Sequence, residues 1–205
     1  MTLRKILGVE GYQTIKAGLW SNHPVCSLGL GICSALAITN KLENALAMGA
    51  GVSFVLLATA LIISMLRNLI LPRVRMITYM ITISSFVIIV DRLLKAFYPE
   101  ISEAINPYIG LIITNCIIMG RAEAFYIRQR VSLSLLDALA NGISYTYTLI
   151  IISIVRELFG FGTLLGIEVM PRGWINWTVM SMAPGAFFLL AVFLWIMPRQ
   201  RERKQ

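Results

Sequence analysis

From Asn44 to Leu66 the chain runs for 23 residues without a charge. A helix that crosses the hydrocarbon core of a bilayer needs about 20 apolar residues. Lipid offers no partner to open backbone groups, so a run of this kind is read as a membrane helix. Charges set off five more apolar segments: 25–39, 76–90 (running on past Asp91), 107–119, 138–155 and 174–197. None shows the alternation of a transmembrane barrel strand. The predicted fold is an all-α integral membrane protein of six transmembrane helices. Segments one and four are short and marked by Gly29 and Gly31, and by Pro107, Gly110 and Gly120. Helices 1 and 4 are therefore expected to be short or broken.

Composition narrows the function. Of the 205 residues, 58% are apolar and only 14% charged, with a mean hydropathy of +0.78. A soluble domain carries about 25% charged residues. Six spans leave no room for a soluble nucleotide-binding domain, and no Gly-rich nucleotide loop is present, so any flavin or nicotinamide belongs to other chains. The net charge of +8 accompanies no nucleic-acid motif. With six crossings, 13 of the 18 Lys and Arg fall on the side of the termini and of loops 67–75 and 121–134. Lys41, Arg92, Lys95, Arg156 and Arg172 fall on the other. The positive-inside rule then places both termini in the cytoplasm. Residues 1–16 are amphiphilic and do not read as a removable leader. Trp174, Trp177 and Trp195 flank segment six as an aromatic belt.

The halves repeat weakly. Asn44-Ala45-Leu46-Ala47-Met48-Gly49 matches Asp137-Ala138-Leu139-Ala140-Asn141-Gly142 at an offset of 93, and Ser64-Met65-Leu66-Arg67-Asn68-Leu69 matches Ser153-Ile154-Val155-Arg156-Glu157-Leu158 at 89. Residues 1–205 form a single membrane domain on this reading, with one repeat at about 24–97 and the other at about 107–197. Three spans per half put the second half upside down relative to the first, as in inverted-repeat transporters.

Each short segment carries a cysteine, Cys33 and Cys116. A pseudo-two-fold axis in the membrane plane brings them together, with glycines that allow close backbone approach. Thiolate pairs suit soft metals, Fe–S clusters above all. The bland reading is that each is a small buried hydrophobe. Cys26 lies outside the repeat relation and reads as a packed thiol. A 2Fe-2S cluster usually takes four Cys ligands, and neither Cys26 nor the lone His23 completes the set. A second copy, or a related chain in opposite orientation, has to supply the other pair. Two acids stand apart from the loops: Asp91 ends segment three and Asp137 starts segment five. Intramembrane acids mark ion paths, and both are candidates for one. At headgroup depth, with Arg92 and Lys95 beside Asp91, they carry no such meaning. Arg121 and Glu123 read as anchors for the end of segment four.

Residues 31–39, Lys41-Leu42-Glu43, 110–125, Asp91-Arg92-Leu93-Leu94-Lys95-Ala96-Phe97 and Arg156-Glu157-Leu158-Phe159-Gly160 resemble the NqrD/RnfE family. The likeness covers about residues 20–197. It implies a membrane subunit of a bacterial inner-membrane complex: either the sodium-pumping NADH:quinone (ubiquinone) oxidoreductase or the Rnf ferredoxin:NAD oxidoreductase. It implies six helices in an inverted repeat and electron transport through a 2Fe-2S cluster. That cluster is shared with a sister subunit, NqrE in one complex and RnfA in the other. Cys33 and Cys116 match the ligand positions. Ser34-Ala35, Lys41-Leu42-Glu43 and Met119 lean toward the quinone-reducing branch, and Pro184-Gly185-Ala186-Phe187 toward the Rnf branch. The rival readings are an inverted-repeat ion transporter without a redox cofactor and a purely structural membrane subunit.

Overall fold

A computed structural model of the chain describes residues 25, 29–97, 108–160, 162–164, 167–168 and 182–202. Cys26, His23, Trp174, Trp177 and the two termini lie outside the described residues.

Among the described residues seven α-helices carry the fold: α1 (Ile32–Ile38), α2 (Leu42–Leu66), α3 (Arg75–Phe97), α4 (Ile109–Ile113), α5 (Cys116–Arg121), α6 (Val131–Gly160) and α7 (Ala183–Glu202). Among the described residues, four segments are long and apolar enough to cross a membrane: Leu42–Leu66, Pro72–Phe97, Ile109–Tyr126 and Val131–Gly160. The molecule is a helical, multi-pass membrane protein. The seven residues of α1 and the apolar stretch Pro184–Trp195 of α7 are shorter than a span.

Local chemistry sets these boundaries. The segment preceding α3 turns through a 3-10 helix, Pro72–Val74, with Pro at its first position, where a missing N–H costs nothing. The fourth apolar segment breaks at Thr114 and Asn115. Asn115 is extended, and its side-chain oxygen accepts a hydrogen bond from the Ile117 amide at 3.2 Å, which starts α5 afresh. A π-helical turn, Ala122–Tyr126, follows α5 directly.

The structure departs from the sequence expectations in two places. A short antiparallel pair, β1 (Thr163–Leu164) and β2 (Ile167–Glu168), follows α6, with Thr163 opposite Glu168 and Leu164 opposite Ile167. Among the described residues the elements are thus helical except for these two strands, which follow the left-handed Gly162. And α6 begins at Val131, so Asp137 lies in its second turn and not at the helix start. Ser132, Ser134 and Asp137 had masked that first part of the helix.

The core forms where α2 and α6 pack along each other. Met48, Val52, Val55, Leu56 and Ile63 of α2 meet Tyr145, Leu149 and Ile152 of α6 in one buried cluster. Their crossing is built on small residues, as close packing in membranes requires. A Cβ on Gly49 would lie 2.7 Å from Thr146 Cγ2, and a Cβ on Gly142 2.9 Å from Ser53 Oγ. Ser53 Oγ donates to the Gly49 carbonyl at 2.7 Å and Thr146 Oγ1 to the Gly142 carbonyl at 2.9 Å. The two hydroxyls lie 3.4 Å apart. The contact is reciprocal, and each partner sits 93 positions from its counterpart. By contrast α3 leaves Met76, Ile77, Ile81 and Ile88 exposed on its outer face.

Candidate functional site

The N-terminal ends of α1 and α5 meet. Cys33 is the second residue of α1 and Cys116 the first of α5. The two thiols lie within electrostatic reach of each other. The Gly31 amide donates to Cys116 Sγ at 2.9 Å. Gly31 is in the left-handed region (φ 84°), and Tyr145 of α6 packs so close that a Cβ there would lie 2.9 Å from the ring. Glycine is required twice over, by conformation and by space. Gly120, on the far side of α5, has a similar constraint: a Cβ there would lie 2.9 Å from Leu30 Cδ1. Cys33 is exposed and Cys116 half-buried. The pair is therefore reachable from one side of this chain.

A hydrogen-bonded group lies beneath the thiols. Ser34 Oγ contacts the Tyr145 hydroxyl at 2.7 Å, the Gly31 carbonyl at 3.0 Å and Asn115 Nδ2 at 3.5 Å. All three side chains are buried.

The far ends of the short segments are held as well. Arg156 Nη1 donates to Thr39 Oγ1 at 2.7 Å and to the Leu36 carbonyl at 3.2 Å, where α1 ends. Glu157 Oε2 accepts from the Leu42 amide at 2.8 Å, where α2 begins. In the other half Arg67 Nη1 donates to the Gln129 carbonyl at 2.9 Å, in the loop after α5. Arg67 and Arg156 are the matched arginines of the repeat, and each ties down the segment that belongs to the opposite half.

The sequence-predicted acids go to separate places. Asp137, 2% exposed, takes both nitrogens of one edge of Arg121, with Nε at 2.9 Å from Oδ2 and Nη2 on Oδ1. The guanidinium also lies 5.3 Å over the Phe125 ring. Tyr126 Oη and Asn141 Oδ1 are buried with no hydrogen-bond partner among the described residues. Asp91 pairs with Lys95 one turn along its own helix at 2.8 Å. Glu123 accepts from the Tyr79 hydroxyl at 2.8 Å and from Arg75 at 3.2 Å. Arg121 and Glu123 do anchor the end of segment four, as expected. The sequence reading missed that the anchor of Arg121 is Asp137. It also missed Tyr145, Ser34 and Asn115.

Two thiols from different halves thus meet, with an amide on one sulfur. Among the described residues no group of three or more His, Cys, Asp and Glu side chains converges. The structure thus defines a helical membrane protein with a paired-thiol junction. The chain belongs to the family described as Rnf-Nqr subunit, membrane protein, whose model matches residues 12–194. It is 44% identical over 196 residues to the D subunit of the Na(+)-translocating NADH-quinone reductase of Chlamydia felis, covering 91% of this chain and 92% of that protein. It is 46% identical over 188 residues to the protein of the same name from Chlamydia trachomatis serovar D, covering 87% and 88%. The counterpart from Pseudoalteromonas atlantica is 45% identical over 193 residues, covering 90% and 92%.

Proposed function

We propose that this chain is the D-type membrane subunit of a Na+-translocating NADH-quinone reductase and that it carries electrons across the membrane through a 2Fe-2S cluster. Cys33 and Cys116 hold half of the cluster, and a sister subunit of the NqrE type holds the other half. The chain is not catalytic alone. The relatives named above all carry the D-type name, which favours the quinone-reductase branch over the Rnf branch. The observation that carries the cluster reading is the meeting of Cys33 with Cys116, with the Gly31 amide 2.9 Å from the Cys116 sulfur.

When bound, a 2Fe-2S cluster supplies a one-electron carrier. The chain contributes two thiolate ligands and an N–H donor to one of them. Such donors, together with burial and net charge, set the potential of an iron–sulfur site. Buried Ile112, Ile117 and Ile118 keep water from the inner side. Cys33 stays open toward a partner. The architecture we infer is a six-helix inverted repeat with both termini cytoplasmic, in the bacterial inner membrane. The reciprocal Gly49–Thr146 and Gly142–Ser53 contacts and the crossed arginine ties support it. We also assign Asp91 and Asp137 to a cation path. For Asp137 this requires the carboxylate to exchange Arg121 for the cation.

Iron analysis and electron paramagnetic resonance of the purified complex test the cluster. Cys33→Ser and Cys116→Ser are expected to lose the 2Fe-2S signal and keep the flavins, because serine is a poor ligand for soft metals. Cys26→Ser keeps the signal. A normal signal in Cys116→Ser overturns the assignment. Expressed alone, the chain should lack iron, and co-expression with the sister subunit should restore it. For the cation path, Asp137→Asn is expected to lower sodium-dependent turnover more than Asp137→Glu. Unchanged sodium dependence in Asp137→Asn removes Asp137 from the path.

A further inference from the structure

A serine hydroxyl has one proton to give and two lone pairs to fill. Ser34 uses all three. It donates to the Gly31 carbonyl at 3.0 Å and faces Asn115 Nδ2, which can only donate, at 3.5 Å. Its remaining neighbour is the Tyr145 hydroxyl at 2.7 Å. Because the single Ser34 proton is committed to Gly31, Tyr145 is the donor in that contact. Each arm of this junction ends on a cysteine segment. Gly31, whose carbonyl Ser34 holds, also carries the N–H that meets Cys116 Sγ, in the preceding peptide unit. Asn115 Oδ1 holds the Ile117 amide and so fixes the start of the helix that Cys116 opens. Tyr145 comes from α6, outside both cysteine segments. It is fully buried, its ring fills the space beside Gly31, and its hydroxyl lies within electrostatic reach of both thiols.

We propose that Tyr145 is a positioning residue for the thiol pair: through Ser34 its hydroxyl fixes the Gly31 carbonyl, limits rotation about the Gly31 backbone, and so holds the Gly31 amide on the Cys116 sulfur. The inference rests on the cluster reading above. Packing alone needs only the ring, which phenylalanine preserves. The hydroxyl contributes the donor that saturates Ser34. Without it the serine is free to turn, the Gly31 carbonyl keeps only the Ala35 amide at 3.1 Å, and the N–H···S contact lengthens. A donor on a ligand sulfur favours the reduced, more negative state of a cluster. Its weakening therefore lowers the potential.

The test is a redox titration of the purified complex, followed by electron paramagnetic resonance. Tyr145→Phe is expected to retain iron, to shift the cluster to a more negative potential and to change its g-values. Ser34→Ala should shift the potential in the same direction. The double variant should show no more than the larger single shift, because both act through one network. Tyr79→Phe, which removes a buried hydroxyl bonded to Glu123 instead, should leave potential and g-values at those of the parent. Parental potential and g-values in Tyr145→Phe overturn the proposal, as does an equal shift in Tyr79→Phe. Cys116→Ser separates the two claims. If it keeps iron, the cluster reading fails. If it loses iron while Tyr145→Phe is unshifted, only the role of Tyr145 fails.

Discussion

The two halves of the molecule solve the same local problem differently. Five residues after each cysteine stands Ile38 in the first half and Arg121 in the second. At the matched position near the start of each long helix stand Asn44 and Asp137. The first half joins its short and long helices through only three residues, 39–41. The second uses a π turn and residues 127–130, and within that wider connection it buries an ion pair. At these matched positions one half carries neutral groups and the other a desolvated Arg–Asp fork, while Arg156 and Glu157 of α6 hold the α1–α2 junction. A π turn of this kind is rare and recurs at functional places. A buried pair is weak evidence of stability, since desolvation offsets most of the attraction. The difference teaches that an ion pair between the short and long helices of the same half is not required, because the first half takes its charged ties from the other half.

That comparison can be broken most directly at Arg121. Arg121→Gln leaves the Asp137 carboxylate buried without its partner, and the loss expected for breaking such a pair is about 3–5 kcal/mol. It should show as a large drop in the yield of assembled complex and in its thermal midpoint in detergent. Arg121→Ile with Asp137→Asn gives the second half the residue types of the first. It should recover most of that stability, because both charges are gone. A double variant as unstable as Arg121→Gln shows the pair to be structural after all. A stable one with impaired sodium-dependent turnover assigns the charges to ion handling.

The helix crossing gives a smaller effect and a sharper contrast. Gly49→Ala and Gly142→Ala force a Cβ to within 3.0 Å of Thr146 and Ser53, and overpacking of this kind costs about 1–3 kcal/mol. Gly51→Ala, on the same helix, meets only Ile112 and Val90 at 3.7 and 3.8 Å and should leave the thermal midpoint unchanged or slightly raised. Equal losses at Gly49 and Gly51 would contradict the tight reciprocal crossing. Smallest is Lys95→Gln. The Lys95–Asp91 pair lies along one helix with the lysine about half exposed, and such pairs are worth about 0.3–0.5 kcal/mol. A thermal midpoint within error of the parent is expected, so any clear fall in turnover there reflects cation handling at Asp91.

Much of the molecule was legible in the sequence because membrane spans announce themselves by what they lack. The charge-free run to Leu66 gave α2 nearly to the residue. The Gly and Pro marks around Cys33 and Cys116 pointed to interrupted segments, and α5 does restart at Cys116. The start of α6 was not legible: Ser132, Ser134 and Asp137 dilute its apolar signal, and Ser134 and Asp137 are accommodated by burial against other parts of the protein while Ser132 is exposed. The Arg121–Asp137 pair spans a loop of no fixed period, so no spacing rule could show it. The serine–threonine contact at the crossing could have been found. The offset of 93 that relates Gly49 to Gly142 carries Ser53 onto Thr146, and extending the match by four residues would have exposed it.

The ties between the halves also order events during synthesis. The end of α1 is held by Arg156, 120 positions further along, and the start of α2 by Glu157, 115 positions further along. A nascent chain that has threaded only its first half into the bilayer thus carries Cys33 on a short helix whose far end is still untied. Arg156 also reaches the Met182 carbonyl, at 3.4 Å, just before α7. The same side chain that secures the first short helix therefore meets the approach to the last one. Closure of the thiol site is in this way deferred until the chain through Met182 has been made, and only then does Cys33 stand on a helix tied at its far end.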